Sequence, residues 1–244
     1  MTRSTETTYL DSSRIVATIA ALERRVGERF PDSSLRNTCG DVLRLAETAS
    51  VRIEWVKRPI WGLRLLAMLL CTVIAMGLLA TLIRFLRAVK TMNVVDSIQV
   101  FESGINDMVF IAIAVFFVVS LERRVKRGRI LAAIHELRSL AHVIDMHQLT
   151  KDPARSFGTG GDTQSSPKRT LTPFELARYL DYCSELLSLV GKVSVLYIQS
   201  MDDTPVRESA NEVEILTTGL CRQVWQKLMI LNSMLIDTGT NRRG

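Results

Sequence analysis

Apolar residues follow two regimes along this chain. In "LLAMLLCTVIAMGLLATLI", residues 65–83, nineteen positions pass without a charge. Elsewhere apolar positions recur every three or four residues among charged ones, the spacing of a helix with one buried face. At about 1.5 Å per residue the first run reaches across a hydrocarbon layer of roughly 30 Å. A second run, "MVFIAIAVFFVVSL" at 108–121, has fourteen residues, and nineteen when extended back through "SGIND" to Ser103. Spans over about 61–84 and 104–121 follow, within a transmembrane hairpin at 59–121, with Asp107 near the outer end of the second.

The periodic segments predict the rest. "DSSRIVATIAALERRVGERF" offers Asp11 or Ser12 as a cap, then Ile15, Ile19, Leu22 and Val26 on one stripe. After Pro31 a second helix, capped by Ser33 or Ser34, carries Leu35, Cys39, Val42, Leu45, Ala49 and then Ile53 or Val56 on one face. Neither stripe can be buried by its own helix, so residues 1–58 must pack on something else. Between the spans, 85–103 reads as an interfacial or re-entrant helix capped by Asp96 and ended by Gly104. Past the second span, helical propensity persists to Leu149, which predicts one rod from about Ile105, its 122–152 part extending beyond the membrane. "DPARSFGTGGDTQSSPKR" has linker composition, giving a flexible segment at 153–171. "TPFE" at 172–175 is a capping box with proline at the first helical position. Leu176, Leu180, Cys183, Leu187, Val190 and Tyr197 follow it. Beyond "DDTP" come Val213, Leu216, Leu220, Val224, Leu228, Leu231 and Leu235. Residues 172–238 thus form an antiparallel helical hairpin that completes a three-helix, coiled-coil-like bundle with the rod, before a disordered tail at 239–244. The expected fold class is an all-α membrane protein.

Charge then sets orientation. Arg52, Lys57, Arg58 and Arg64 precede the first span, and Arg123, Arg124, Lys126, Arg127 and Arg129 follow the second, outnumbering Arg84, Arg87 and Lys90 between them. Both termini are therefore expected on the cytoplasmic side. Of this basic set, Arg58, Arg123, Arg124, Lys126 and Arg127 are the expected contacts to lipid heads. The first fifty residues lack the pattern of a cleavable signal, and an unprocessed hairpin with both termini inside and no sorting signal reads as bacterial inner-membrane, with a mitochondrial or other eukaryotic membrane as the alternative. The net charge of +6 is accounted for by these flanks, and no basic patch interleaved with aromatics suggests nucleic acid. Cys39, Cys71, Cys183 and Cys221 are widely spaced and read as reduced, structural thiols.

All three histidines fall in "HELRSLAHVIDMHQL" at 135–149. His135 and His142 share a line on a helix but lie about 10 Å apart along it. A zinc ion needs ring nitrogens within about 2.1 Å, so that pair cannot form a site on one helix. His142 and Asp145 are the nearest approach to one, and no metal is expected. Ile130, Ala133, Ile134, Leu137, Leu140, Ala141 and Ile144 form the broad apolar face of the rod. The other side presents His135, Ser139, His142, Asp145 and Met146, continued through Ala132, Gly128, Val125 and Leu121. This second seam suits contact with a copy of the chain, a homo-oligomer in which the histidines are expected simply to hydrogen-bond to Asp145, Ser139 or water at a moist interface, with an ion site or a pH-sensitive interface at His142 and Asp145 as the alternatives.

No nucleophile elbow, P-loop, Rossmann glycine set or kinase motif occurs; "GTGG" at 158–161 lies in the linker without a preceding strand. No enzyme activity and no cofactor are expected. Two spans, the acidic "ESGIND" with Glu102, Asn106 and Asp107 at an outer mouth, and a long coil resemble the general plan of oligomeric two-span cation channels. The resemblance is one of layout: neither the G-M-N signature of magnesium channels nor the D-I-M-E signature of the calcium uniporter pore stands here. The leading expectation is a bilayer-anchored interaction or signal-transmitting protein, working through its cytoplasmic helices on a protein partner, with a cation pore as the alternative.

Overall fold

A computed structural model of the chain describes residues 10–88, 94–151, 153, 164 and 171–241. The expected linker at 153–171 lies almost wholly outside the described residues. Among the described residues six long helices follow one another: α1 (Ser12–Arg29), α2 (Ser34–Lys57), α3 (Trp61–Ala88), α4 (Val94–Leu149), α5 (Pro173–Ser200) and α6 (Thr204–Asn241). No strand occurs among the described residues. The chain divides into two compact units, one of Met1–Lys57 with Arg129–Gly244, the other of Arg58–Gly128. Helix α4 contributes to both without a break in its hydrogen-bonded path.

The first unit is a helical bundle whose boundaries have local causes. Asp11 caps α1 by accepting from the Ser13 backbone N–H at 2.8 Å, and the Ser13 hydroxyl at 2.7 Å, then that N–H, hold its carboxyl below the usual range. Pro31 follows α1, and Ser33 Oγ accepts from Arg36 N at 3.3 Å as α2 begins. Thr172 and Glu175 form the expected reciprocal box, with the Thr172 N–H donating to Glu175 Oε2 at 2.8 Å. The stripe Ile15, Ile19, Leu22 and Val26 is buried, as are Leu35, Cys39, Val42 and Ala49 of α2. The broad face of α4, from Ile130 through Leu137 to Ile144, enters the same core, with Leu140 packed against its edge.

The core is therefore built by five helices, not three. Helices α1 and α2 pack on α5, whose buried side chains occupy most of its circumference. The reason is area: two amphipathic helices with uncovered stripes lower their free energy by closing over the remaining face of α5. Phe30 meets Tyr179 and Tyr182 edge-on at centroid distances of 5.5 and 6.3 Å, and Arg25 clasps Glu185 with both terminal nitrogens. Arg129 lies over the Trp55 ring at 4.4 Å. On α6 the stripe is buried at Val213, Leu220, Val224 and Leu231, whereas Leu235 is exposed. Helix α6 also runs through residues 239–241, where a disordered tail was expected.

The second unit inverts this pattern. Helix α3 and the first part of α4 are long and apolar enough to cross a membrane, and their apolar stretches are not buried inside the protein. Leu65, Leu69, Met76, Phe110 and Phe116 point outward, an area far larger than a soluble surface normally exposes. Helix α4 starts at Val94 and passes Gly104 uninterrupted, which corrects the expected stop there. A lone helical glycine costs about 1 kcal/mol, too little by itself to end a helix where no proline stands nearby.

Candidate functional site

The polar cluster of the second unit forms where the chain turns between α2 and α3. Pro59 carries no N–H and drives the preceding residue out of helical geometry, so the helix must break there. Such a break leaves backbone groups without partners on both sides. Helix α4 supplies them from one i,i+4 pair. Lys126 Nζ donates to the Arg58 carbonyl at 2.9 Å and to Glu122 Oε1 at 2.7 Å. Glu122 Oε1 accepts from Ile60 N at 3.3 Å, and its Oε2 from Arg64 Nε at 3.4 Å. Because Ile60 O also accepts from Arg64 N at 3.1 Å, Ile60 is the cap of α3, and Glu122 places negative charge at that helix's positive end. Lys126 does the converse for the carbonyl just past α2. One Glu–Lys pair thus bonds the backbone of Arg58 and of Ile60, on either side of Pro59.

This arrangement redistributes the basic residues assigned to lipid heads. Lys126 is 9% exposed, so it serves the clamp and does not reach outward as expected. Its four-carbon stem lies along α4 toward Glu122, one turn back, and that direction is what buries it. Arg58, Arg123 and Arg124 are exposed and Arg127 is half-buried. Arg64, absent from that expected set, has a side chain 57% exposed. Of the acidic mouth, Glu102 and Asn106 are exposed on α4, and the side chain of Asp107 lies outside the described residues.

In the bundle, His135, Ser139, His142 and Met146 are exposed along α4, while Asp145 is half-buried. Asp145 accepts from Gln148 Nε2 at 2.5 Å. Among the described residues no group of three or more His, Cys, Asp or Glu is placed to hold a metal ion. The histidine that the fold engages is the third one. His147 Nε2 lies 2.8 Å from Thr38 Oγ1 and its Nδ1 3.2 Å from Ser34 Oγ. Thr38 Oγ1 donates to the Ser34 carbonyl at 3.2 Å, which leaves its oxygen to accept from Nε2–H and Nδ1 to accept from Ser34. Burial, then the charge of Lys151, pushes His147 below the ordinary histidine value. The sequence gives no sign of this pin, since Ser34 and Thr38 read only as the first turns of an amphipathic helix.

Next to it the end of α4 is closed by Lys227, which donates to the Gln148 carbonyl at 2.6 Å. Gln148 is fully buried and its Oε1 has no hydrogen-bond partner among the described residues. Cys39 and Cys183 are free and buried, and burial pushes each thiol up to about 12. They are inert packing groups at neutral pH. Cys221 is a free, partly buried thiol, and Cys71 is a free, exposed one on α3. No protein-family model, curated protein or solved structure matches the chain.

Proposed function

We propose that the chain is a membrane-anchored helical protein that transmits or presents an interaction through its cytoplasmic bundle, without catalysis of its own. The observation that carries this reading is the contrast between the two units joined by α4. One exposes its apolar side chains and suits a lipid surround; the other buries them in a core and exposes its charges. A helix without a break between them is the part through which a change in one could reach the other. Placement in a bacterial inner membrane with both termini inside belongs to the same proposal and follows from the basic flanks. So does self-association through the exposed seam of His135, Ser139, His142 and Met146.

The test combines topology with contact. Membranes holding the full chain are washed with alkaline carbonate, both termini are probed with protease in sealed vesicles, and a photo-crosslinking residue is placed at His142 or Met146. Retention in the membrane, same-side termini and a crosslink to a copy of the chain or to another protein are expected. Release by carbonate, or termini on opposite sides, would sink the anchored reading. Cation conductance by the purified chain in planar bilayers, altered by Asp107→Asn, would replace it with the pore.

A further inference from the structure

We propose that Arg58, Arg64, Arg123 and Arg124 form a docking surface for the headgroups of anionic phospholipids. The inference rests on the reading of α3 and of residues 104–121 as membrane spans, and adds to it a selectivity that spanning alone does not require. All four arginines belong to the second unit, and all four are exposed. They flank the places where α3 and α4 change from charged to continuously apolar sequence, the level at which lipid phosphates lie. The charge is nearly unopposed. Residues 55–95 contain no Asp or Glu, and residues 108–135 contain only Glu122.

The clamp explains why that one carboxylate does not cancel the belt. Glu122 takes its shortest bond from Lys126, at 2.7 Å, and the side chains of this pair are only 17% and 11% exposed. The pair is neutral as a unit and turned inward. Arg64 touches Glu122 through Nε alone, at 3.4 Å, and keeps its exposure. Guanidinium forks match phosphate oxygens in geometry as well as charge, and arginines are the residues left outside while the lysine is drawn in. Exposed apolar side chains continue directly from this level, Trp61 and Leu65 among them. A lipid therefore meets an arginine at its phosphate and a leucine or tryptophan along its chains.

The experiment uses quenching of Trp61, the tryptophan nearest these arginines in sequence, by brominated lipids. The full chain with Trp55→Phe and Trp225→Phe is reconstituted in vesicles of phosphatidylcholine containing brominated phosphatidylglycerol or brominated phosphatidylcholine. One arginine in contact with an anionic headgroup contributes roughly a fivefold preference, and a lipid beside Trp61 is counted as meeting one of the four. A several-fold preference for phosphatidylglycerol is expected, retained when all four arginines become lysine and lost when all four become glutamine. It should also shrink at 1 M salt, where the screening length is about 3 Å. Equal quenching by the two lipids, or a preference that survives the glutamine variant, overturns the proposal. Loss of the preference on adding soluble glycerol phosphate makes this a free-phosphate site and overturns the lipid source. Quenching by neither lipid removes the membrane reading itself. If the tryptophan variants do not fold, the lipids retained by the purified unsubstituted chain, counted by mass spectrometry, make the same comparison with the glutamine variant.

Discussion

Replacing Lys126 by methionine removes the ammonium that holds two acceptors at once. Methionine matches the lysine stem in length and keeps its packing, so the loss is that of the charge and its bonds. The Arg58 carbonyl loses its 2.9 Å donor, and Glu122 keeps only the 3.3 Å and 3.4 Å bonds from Ile60 and Arg64. Removing one member of a fully buried pair costs about 3–5 kcal/mol. Here the carboxylate retains two partners and some access to water, which brings the expected cost to about 2 kcal/mol. A loss of that size raises the opening equilibrium of the break roughly thirtyfold. Hydrogen exchange read by mass spectrometry on the full chain in detergent reports it directly, because the Ile60 N–H is a member of the cluster. Peptides covering residues 58–64 should exchange faster in Lys126→Met and, since a planar fork keeps the carboxylate but gives up the Arg58 carbonyl, by a smaller amount in Lys126→Arg. Peptides within α5 should be unaffected. Adding Glu122→Gln to Lys126→Met should recover part of the protection, since the uncompensated charge is then gone. If Lys126→Met leaves 58–64 exchanging as in wild type, the pair does not fix the break and the clamp is wrong.

Three further outcomes test the bundle. His147 is held below its ordinary value of 6.5 by burial and Lys151, so the unfolded chain binds its proton first as pH falls. Stability should therefore drop as pH falls from about 6.5 toward the lowered folded value, and His147→Gln should flatten that part of a urea-midpoint profile; parallel profiles would refute it. A Cβ added at Gly191 would meet Thr217 Oγ1 at 2.9 Å, so Gly191→Ala should lower stability by about 1–2 kcal/mol, read as a fall in melting temperature. Thr217→Ala should restore most of that loss, and no rescue would mean that the two helices do not cross closely there. Thr172→Ala removes the cap of α5 and should cost about 1 kcal/mol in the same assay; an unchanged midpoint would show that the box contributes nothing.

Much of the bundle was legible because its signals are local. The stripe of α1, the α4 face from Ile130 to Ile144 and the "TPFE" box each declare themselves within a few turns, and each is found as read. What local pattern could not convey was the number of partners. An amphipathic stripe such as Ile15, Ile19, Leu22 and Val26 states that it will be covered, not by what. The broad burial of α5 is the counterpart, and its apolar residues at 186, 187, 189 and 190 exceed what a single stripe needs. That excess was the available clue that more than two helices would close on it. The reading of Gly104 as a stop failed for a different reason: a glycine ends a helix only where the flanking residues already favour another conformation.

The clamp was out of reach for a more basic reason. Lys126 is one of five basic residues between 123 and 129, and its being the lysine among arginines does not by itself say what it will bond. Its role comes from helical phase, which sets it one turn beyond Glu122, and from the break at Pro59, which leaves one carbonyl and one N–H without partners. Both facts are individually readable, but their coincidence requires α3 and α4 to be placed together at that level. The choice of lysine over arginine follows from the same geometry. A compact ammonium on a flexible stem can donate to a carboxylate and a backbone carbonyl at once, where a planar fork would favour the carboxylate alone. The basic cluster thus divides by shape, with the lysine turned in toward Arg58 and Glu122, Arg129 laid over Trp55, and Arg123 and Arg124 left facing outward.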